Sequence, residues 1–219
     1  MMAELSLRSY IHEIEQQIES GQLDHAIAHC KHVLQSHPKC VDIYRLLGNA
    51  YLDSQRFTDA GDIFQRVISS IPNDFVSHIG MSVIREDEGN LDEAIWHMER
   101  AFEVQPSNSM IQDELRRMYG KSDSSTLPRG RLTRGALARL YARGELYAQA
   151  IGEIRAAISE NPNRLDLEIL LAEIYLKTGK KAEATEIAQS VLRSLPNCIS
   201  AINIMIQVLS GADREMELI

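Results

Sequence analysis

Aromatic residues make up only 5% of this 219-residue chain, and it holds twelve glycines and six prolines. Strands favour aromatic and β-branched side chains, and sheets need turn residues at every reversal. This scarcity argues against a sandwich or barrel and points to helices. Long apolar runs are also missing. The most apolar stretch, residues 199–209, is about half the ~20 residues a membrane helix requires. The first ten residues lack the basic start and the roughly 7–15-residue apolar block of a secretory leader. Cysteines number three, an odd count that reads as free thiols in a reducing compartment, so a cytoplasmic location is expected. Cys30 falls in a helical apolar stripe and reads as a small core residue.

Basic charge is short as well. The net charge is −8 and the pI about 5.4, which argues against a nucleic-acid coat or a polybasic membrane binder. Neither nucleic acid nor membrane is expected as a partner. The chain has no Gly-rich phosphate loop, no GxSxG, no HExxH and no paired CxxC. The acidic run Glu86-Asp87-Glu88 reads as a solvated cluster at a helix end. No catalytic centre and no cofactor are expected. What remains is ordinary globular material, 44% hydrophobic and 25% charged, enough to bury a core.

That material is periodic. Pro38, Pro72 and Pro106 are spaced by 34 residues, as are Pro162 and Pro196. Ala26, Ala60, Ala94, Ala150 and Ala184 each lie 12 residues before one of these prolines. The step from Pro106 to Pro162 is 56, so about two-thirds of a repeat is inserted there. Within a unit, apolar residues recur at helical spacing. Ile43, Leu46, Leu47, Ala50 and Tyr51 mark a first helix near 41–54, and a second is expected near 57–70. Gly21, Gly89 and Gly179 fall between the paired helices, where the chain must stop and turn back. The prolines follow the second helix, which they cannot continue.

The second unit reads Tyr44-x-x-Leu47-Gly48-x-x-Tyr51, then Ala60-x-x-x-Phe64, then Pro72. In this it resembles the tetratricopeptide repeat (TPR) family, with Tyr where Trp is usual. The fifth unit carries Leu171, Ala172, Tyr175, Ala184, Ala188 and Pro196, and the fourth Leu137, Ala138, Tyr141, Ala150 and Pro162. The first and third are weaker. Ser82 and Arg85 replace the small and tyrosine positions of the third, and Ile14 and Gln17 those of the first. The resemblance covers about 85% of the chain. It implies an all-α fold, a right-handed superhelical solenoid of antiparallel helix pairs, with five repeats plus lone helices. It also implies a protein-binding scaffold in which the first helix of each pair lines a concave groove.

Carried over position by position, the groove is expected to present Ile11, Glu15 and Ile18, then Arg45, Asn49 and Leu52, then Ile79, Val83 and Glu86. Beyond the insertion come Arg139, then Ile169, Glu173 and Leu176, and last Asn203 and Gln207. Members of the family that grip acidic chaperone tails use a Lys/Asn, Asn, Lys/Arg clamp. Those places hold Ile11 and Glu15, Asn49, and Ile79 and Val83 here, so only Asn49 agrees. The N-terminal groove is apolar with an acidic tint, suited to an amphipathic helix or to an apolar peptide with a basic residue.

The insertion divides the register. Residues 1–120 are expected to form an N-terminal array of three repeats plus a lone helix near 110–119. The polar segment 121–130 reads as a linker or insertion loop, and 131–219 as a C-terminal array of two repeats plus a terminal helix near 198–209. One continuous superhelix with a long loop is the alternative. Residues 1–120 hold ten basic against nineteen acidic residues, net −9, and the remainder is +1. Arg129, Arg131, Arg134, Arg139 and Arg143 occur with no acid between them; they read as a patch for an anion or acidic peptide, or else as a solvated face or arginines paired with acids of adjacent helices. His25, His29 and His32 share one helix face, a weak candidate for a metal, and an outer face of histidines is the alternative. The terminal helix is apolar almost all round. Its edge, Ile202, Met205, Ile206 and Leu209, is expected either to meet a helix of a longer chain or to drive homo-oligomer formation. The functional expectation is therefore a non-catalytic adaptor that takes a partner peptide or helix in its groove, with structural assembly through the C-terminal edge as the alternative.

Overall fold

The computed structural model describes residues 7–121 and 132–216, with side chains to residue 210. Among these residues the regular structure is entirely helical. The pairs are α1 (Leu7–Glu19) with α2 (Leu23–Ser36), α3 (Val41–Asp53) with α4 (Phe57–Ser70), and α5 (Phe75–Asp87) with α6 (Leu91–Val104). A lone α7 (Ser109–Lys121) follows. The pairs resume with α8 (Arg134–Arg143) and α9 (Tyr147–Glu160), then α10 (Leu165–Lys177) and α11 (Lys181–Ser194), and α12 (Ile199–Met216) comes last. Apart from Lys121, the expected linker at 121–130 lies outside the described residues.

The first helix of every pair ends in the same way. One residue takes a left-handed backbone: Gly21 (φ 74°), Gln55 (59°), Gly89 (78°), Glu145 (58°) and Gly179 (78°). Their spacing repeats the 34, 34, 56, 34 rhythm of the prolines. The next residue's N–H then donates to the carbonyl five residues back. Gln22 donates to Gln17 and Asn90 to Arg85 at 2.8 Å, and Arg56 to Tyr51 and Leu146 to Tyr141 at 2.9 Å. Lys180 does the same to Tyr175 at 2.8 Å. This closing bond satisfies an orphan carbonyl and reverses the chain. Each period-marking proline sits in the short turn after a second helix, as the spacing predicts. Where that turn leads into α5, the buried Asp74 caps the new helix by accepting from the Ser77 N–H at 2.9 Å.

By contacts the described chain forms two compact units. The first takes residues up to Ile68 and Asp74–Met98; the second takes Ser69–Asn73 and the chain from Glu99 onward. This division falls inside α6 and is distinct from the array boundaries read from repeat register.

In the first unit the core gathers around Ile14, Cys30, Ile43, Leu47, Phe64 and Ile84. Burial pushes the Cys30 thiol up to about 12, which suits an inert core residue. The Phe64 side chain of α4 is fully buried between two glycines. On one side lies Gly48 of its partner α3, where an added β-carbon would stand 2.5 Å from the ring. On the other lies Gly80 of α5, in the following pair, where the fit is tighter still. One ring therefore joins a helix pair internally and to its neighbour. Ser82, which departs from the family pattern, is buried, and its hydroxyl donates to the Ala94 carbonyl at 2.7 Å. A small polar residue is tolerated there because its polar atom is satisfied. In the second unit Ile154, Leu167, Ile174, Val191, Cys198 and Ile204 form the equivalent core.

Gln55 and Glu145 hold a backbone that costs an L-residue about 1–2 kcal/mol, a strain that glycine escapes at some cost in unfolded-state entropy. Gln55→Gly and Glu145→Gly are therefore each expected to raise stability, by about 0.5–1 kcal/mol. Urea denaturation checks this, and a lowered midpoint in both variants contradicts it.

Candidate functional site

In the first unit α1, α3 and α5 pack side by side, so the first helices form a row. The register places three residues of each helix on it. Ile11, Ile18 and Leu52 are half-buried and lean on the core. Glu15 is exposed, while Asn49, Ile79 and Glu86 are half-buried. Val83 is 41% exposed, a large apolar side chain left to solvent in mid-row. Arg45 is half-buried and already engaged. Its Nε donates to Asp74 at 2.7 Å and its Nη1 to Asp42 at 2.6 Å. The open part of this row is thus apolar with acidic and amide groups beside it.

In the second unit α8 and α10 neighbour each other, as do α10 and α12. Here the expected residues divide. Ile169 is buried in the core, and Arg139 is buried and bound to Asp166 at 2.5 Å. Glu173 and Leu176, by contrast, meet Asn203 and Gln207 in one open cleft of about 360 Å³ between α10 and α12, with Lys177, Ser200 and Ile204. Burial raises the Glu173 carboxyl, and Lys177, the Ser200 hydroxyl and Arg139 offset this in part.

The basic run is largely spent within this unit. Arg134 pairs with Glu160 at 2.8 Å and Glu153 at 3.2 Å, and Arg143 donates to the Val104 carbonyl at 2.7 Å. Arg129 and Arg131 lie outside the described residues. Arg134 and Arg139 are thus paired with acids of adjacent helices, whereas Arg143 bonds a main-chain carbonyl.

Arg139 belongs to a buried ionic network that sequence reasoning misses. Glu103 of α6 is 1% exposed. It accepts from Arg100 and from the Thr133 hydroxyl, both at 2.9 Å, and pairs with Arg164. Arg164 in turn grips Asp166 through Nε at 2.8 Å and Nη2 at 3.0 Å. Tyr119 donates to Glu99 at 2.6 Å, and burial together with that carboxylate pushes the phenol up. Gly135 makes room for the network, because a β-carbon there would collide with the Glu103 carboxylate. Burial alone would raise the Asp166 carboxyl; the hydrogen bonds and charge of Arg164, with Arg139 and Arg100, hold it at about 2 instead. The Arg164 guanidinium is destabilised by burial, but Asp166 and Glu103 outweigh that and push its pKa up.

His25 and His32 are exposed, and His29 stacks on Tyr10 with ring centroids 5.4 Å apart. Among the described residues no group of three His, Cys, Asp or Glu side chains is placed to hold a metal ion. None of the described helices is long and apolar enough to cross a membrane. On α12, Ile202, Ile206 and Leu209 are exposed, as is Ile199, while Met205 is half-buried.

The Tetratricopeptide repeat family model matches residues 17–78 and 141–205, together more than half of the chain. This protein belongs to the tetratricopeptide repeat family. No curated protein matches the sequence. Among solved structures this TPR chain is similar to the MamA protein, at 17% identity and a TM-score of 0.43 over 84% of this chain and 88% of that one. It is also similar to YrrB, described as a TPR protein with an unusual peptide-binding site, at 15% identity and 0.44 over 89% of each chain. A tetratricopeptide repeat protein from Parabacteroides merdae gives 16% identity and 0.44 over 94% of this chain and 87% of that one.

The depressed Asp166 carboxyl fixes a pH dependence. A carboxylate whose folded pKa lies below its unfolded value stabilises fully above the unfolded value, and the contribution is lost as pH falls through the folded one. Asp166→Asn breaks a buried pair and is expected to cost about 3–5 kcal/mol at pH 7. The gap between wild type and variant in urea should narrow from about pH 4 downward, towards pH 2. An undiminished gap at pH 2.5 contradicts the assignment.

Proposed function

We propose that this TPR protein is a non-catalytic interaction scaffold that takes a peptide or helix of a partner protein on the first-helix face of its N-terminal repeats. The observation that carries this is Val83. An apolar side chain stands exposed in mid-row, flanked in register by Asn49 and Glu15, with Ile79 and Glu86 beside it. Side-by-side helices offer a few such side chains each, which together suit one extended or helical segment. Apolar contacts supply affinity, Asn49 can both donate and accept, and the acidic residues favour a partner with basic charge. We place the protein in the cytoplasm, consistent with its three free cysteines.

A second reading has its own observation. Ile199, Ile202, Ile206 and Leu209 are spaced 3, 4 and 3 residues apart and all exposed, the spacing of a coiled-coil seam. In this reading the protein assembles with itself through α12.

The two readings separate on substitution. Val83→Glu and Asn49→Ala, with circular dichroism unchanged, should lose the co-purifying partner at least tenfold. Ile202→Glu and Ile206→Glu should leave the partner bound. Should the α12 variants alone dissolve an oligomer seen by light scattering, while both row variants keep the partner at wild-type level, self-assembly replaces the scaffold reading.

A further inference from the structure

The cleft between α10 and α12 has a chemistry of its own. Glu173 lies half-buried on it, and among the described residues it makes no ion pair. Glu168 is half-buried as well but lies away from this cleft, and the fully buried acids among the described residues all have cations. Asp74 is paired with Arg45, Glu103 with Arg100 and Arg164, and Asp166 with Arg139 and Arg164. Lys177, the Ser200 hydroxyl and Arg139 offset the burial of Glu173 only in part, so a cation that enters the cleft and pairs with it directly recovers more of that cost. Asn203 and Gln207 are exposed one turn apart on α12, on the same cleft. Each carboxamide offers a donor and an acceptor, the complement of a peptide group. Leu176 and Ile204 supply apolar wall for an aliphatic stem. Among the described residues no aromatic ring lines the cleft, so they offer no platform for a stacked base or a caged quaternary amine.

We propose that this cleft is a subsite for a basic side chain of a partner peptide, with Glu173 as its counter-charge and Asn203 and Gln207 holding the adjoining main chain. The subsite rests on the scaffold reading and extends it to the second unit with a stated ligand chemistry. Its volume of about 360 Å³ admits one long side chain and the peptide groups beside it. Arginine fits best, since its planar fork can bind a carboxylate in two parallel hydrogen bonds. Lys177, four residues after Glu173 and exposed, competes for the same carboxylate from the rim. Arg139 acts on Glu173 through its charge alone, because its guanidinium is paired with Asp166.

The probe is the capped pentapeptide acetyl-Ala-Ala-Arg-Ala-Ala-amide, titrated into the isotopically labelled full chain and followed by NMR. Saturable shifts are expected at Glu173, Lys177, Asn203 and Gln207. Binding should fall at least tenfold with citrulline in place of arginine, and equally with Glu173→Gln. Lys177→Gln should bind as well as wild type or better. Absence of shifts at millimolar peptide, or equal binding by the citrulline peptide or by Glu173→Gln, overturns the proposal. A displayed library of random dodecapeptides, selected on the same chain, separates the two levels. If selected peptides map to a first-helix face while the arginine pentapeptide does not bind, the subsite falls and the scaffold reading stands. If the library yields no binder as well, both fall.

Discussion

Two helices can lie close together only where at least one of them carries almost no side chain. In the first unit this constraint is met around a single ring. Phe64 is fully buried with Gly48 on one face and Gly80 on the other, so the pair α3–α4 and the first helix of the next pair share one contact. A β-carbon at either glycine would occupy space that the ring fills, and a well-packed core has little room to give. The 34-residue period is the sequence's way of returning small residues to such places in every pair. A helix pair built like this cannot cover its own apolar surface, so neighbours must stack, and stacking sets the first helices side by side. The candidate binding row is a consequence of that packing, made of what the packing leaves unburied.

The second unit solves a different problem with charge. Glu103, Arg100, Arg164, Asp166 and Arg139 are all nearly inaccessible, and each finds an opposite partner. Buried pairs of this kind add little net stability over apolar packing, but breaking one is expensive. Their geometric demands are strict, because each carboxylate must meet a guanidinium from another part of the unit. Gly135 shows the cost of meeting them, since the second residue of α8 must leave space for a carboxylate from α6. With Arg100, Arg139 and Arg164 so committed, Glu173 stays half-buried outside the network, and it gives the α10–α12 cleft its electrostatic character.

Much of the fold is legible because the period is carried by residues with strong local consequences. Proline stops the second helices, and alanine and glycine mark close approach. The expected helix at 57–70 is observed as Phe57–Ser70, and that at 41–54 ends one residue earlier, at Asp53. The left-handed turns at Gln55 and Glu145 also follow the register of Gly21, Gly89 and Gly179, but their side chains hide the signal. Gly80 is illegible for a different reason. Its need for space comes from Phe64, a residue of the preceding pair. The ionic network is the least legible feature, since Glu103 and Arg164 are 61 residues apart and no periodicity links them. Register places Arg139 on the first-helix face, yet its long side chain ends on Asp166. The register fixes where a Cα lies and which way it points; it leaves open where a flexible, charged tip finds its partner.

The close approach at Phe64 is best tested by a double-mutant cycle in urea between Gly48→Ala and Phe64→Leu. Gly48→Ala alone should destabilise by about 1–3 kcal/mol, although alanine is the better helix former, because its methyl group meets the ring. In the Phe64→Leu background that cost should shrink by at least about 1 kcal/mol, since the smaller side chain yields the space. Equal costs of Gly48→Ala in the two backgrounds would mean that the ring does not hold the pairs together, and the account of how this repeat packs would be wrong.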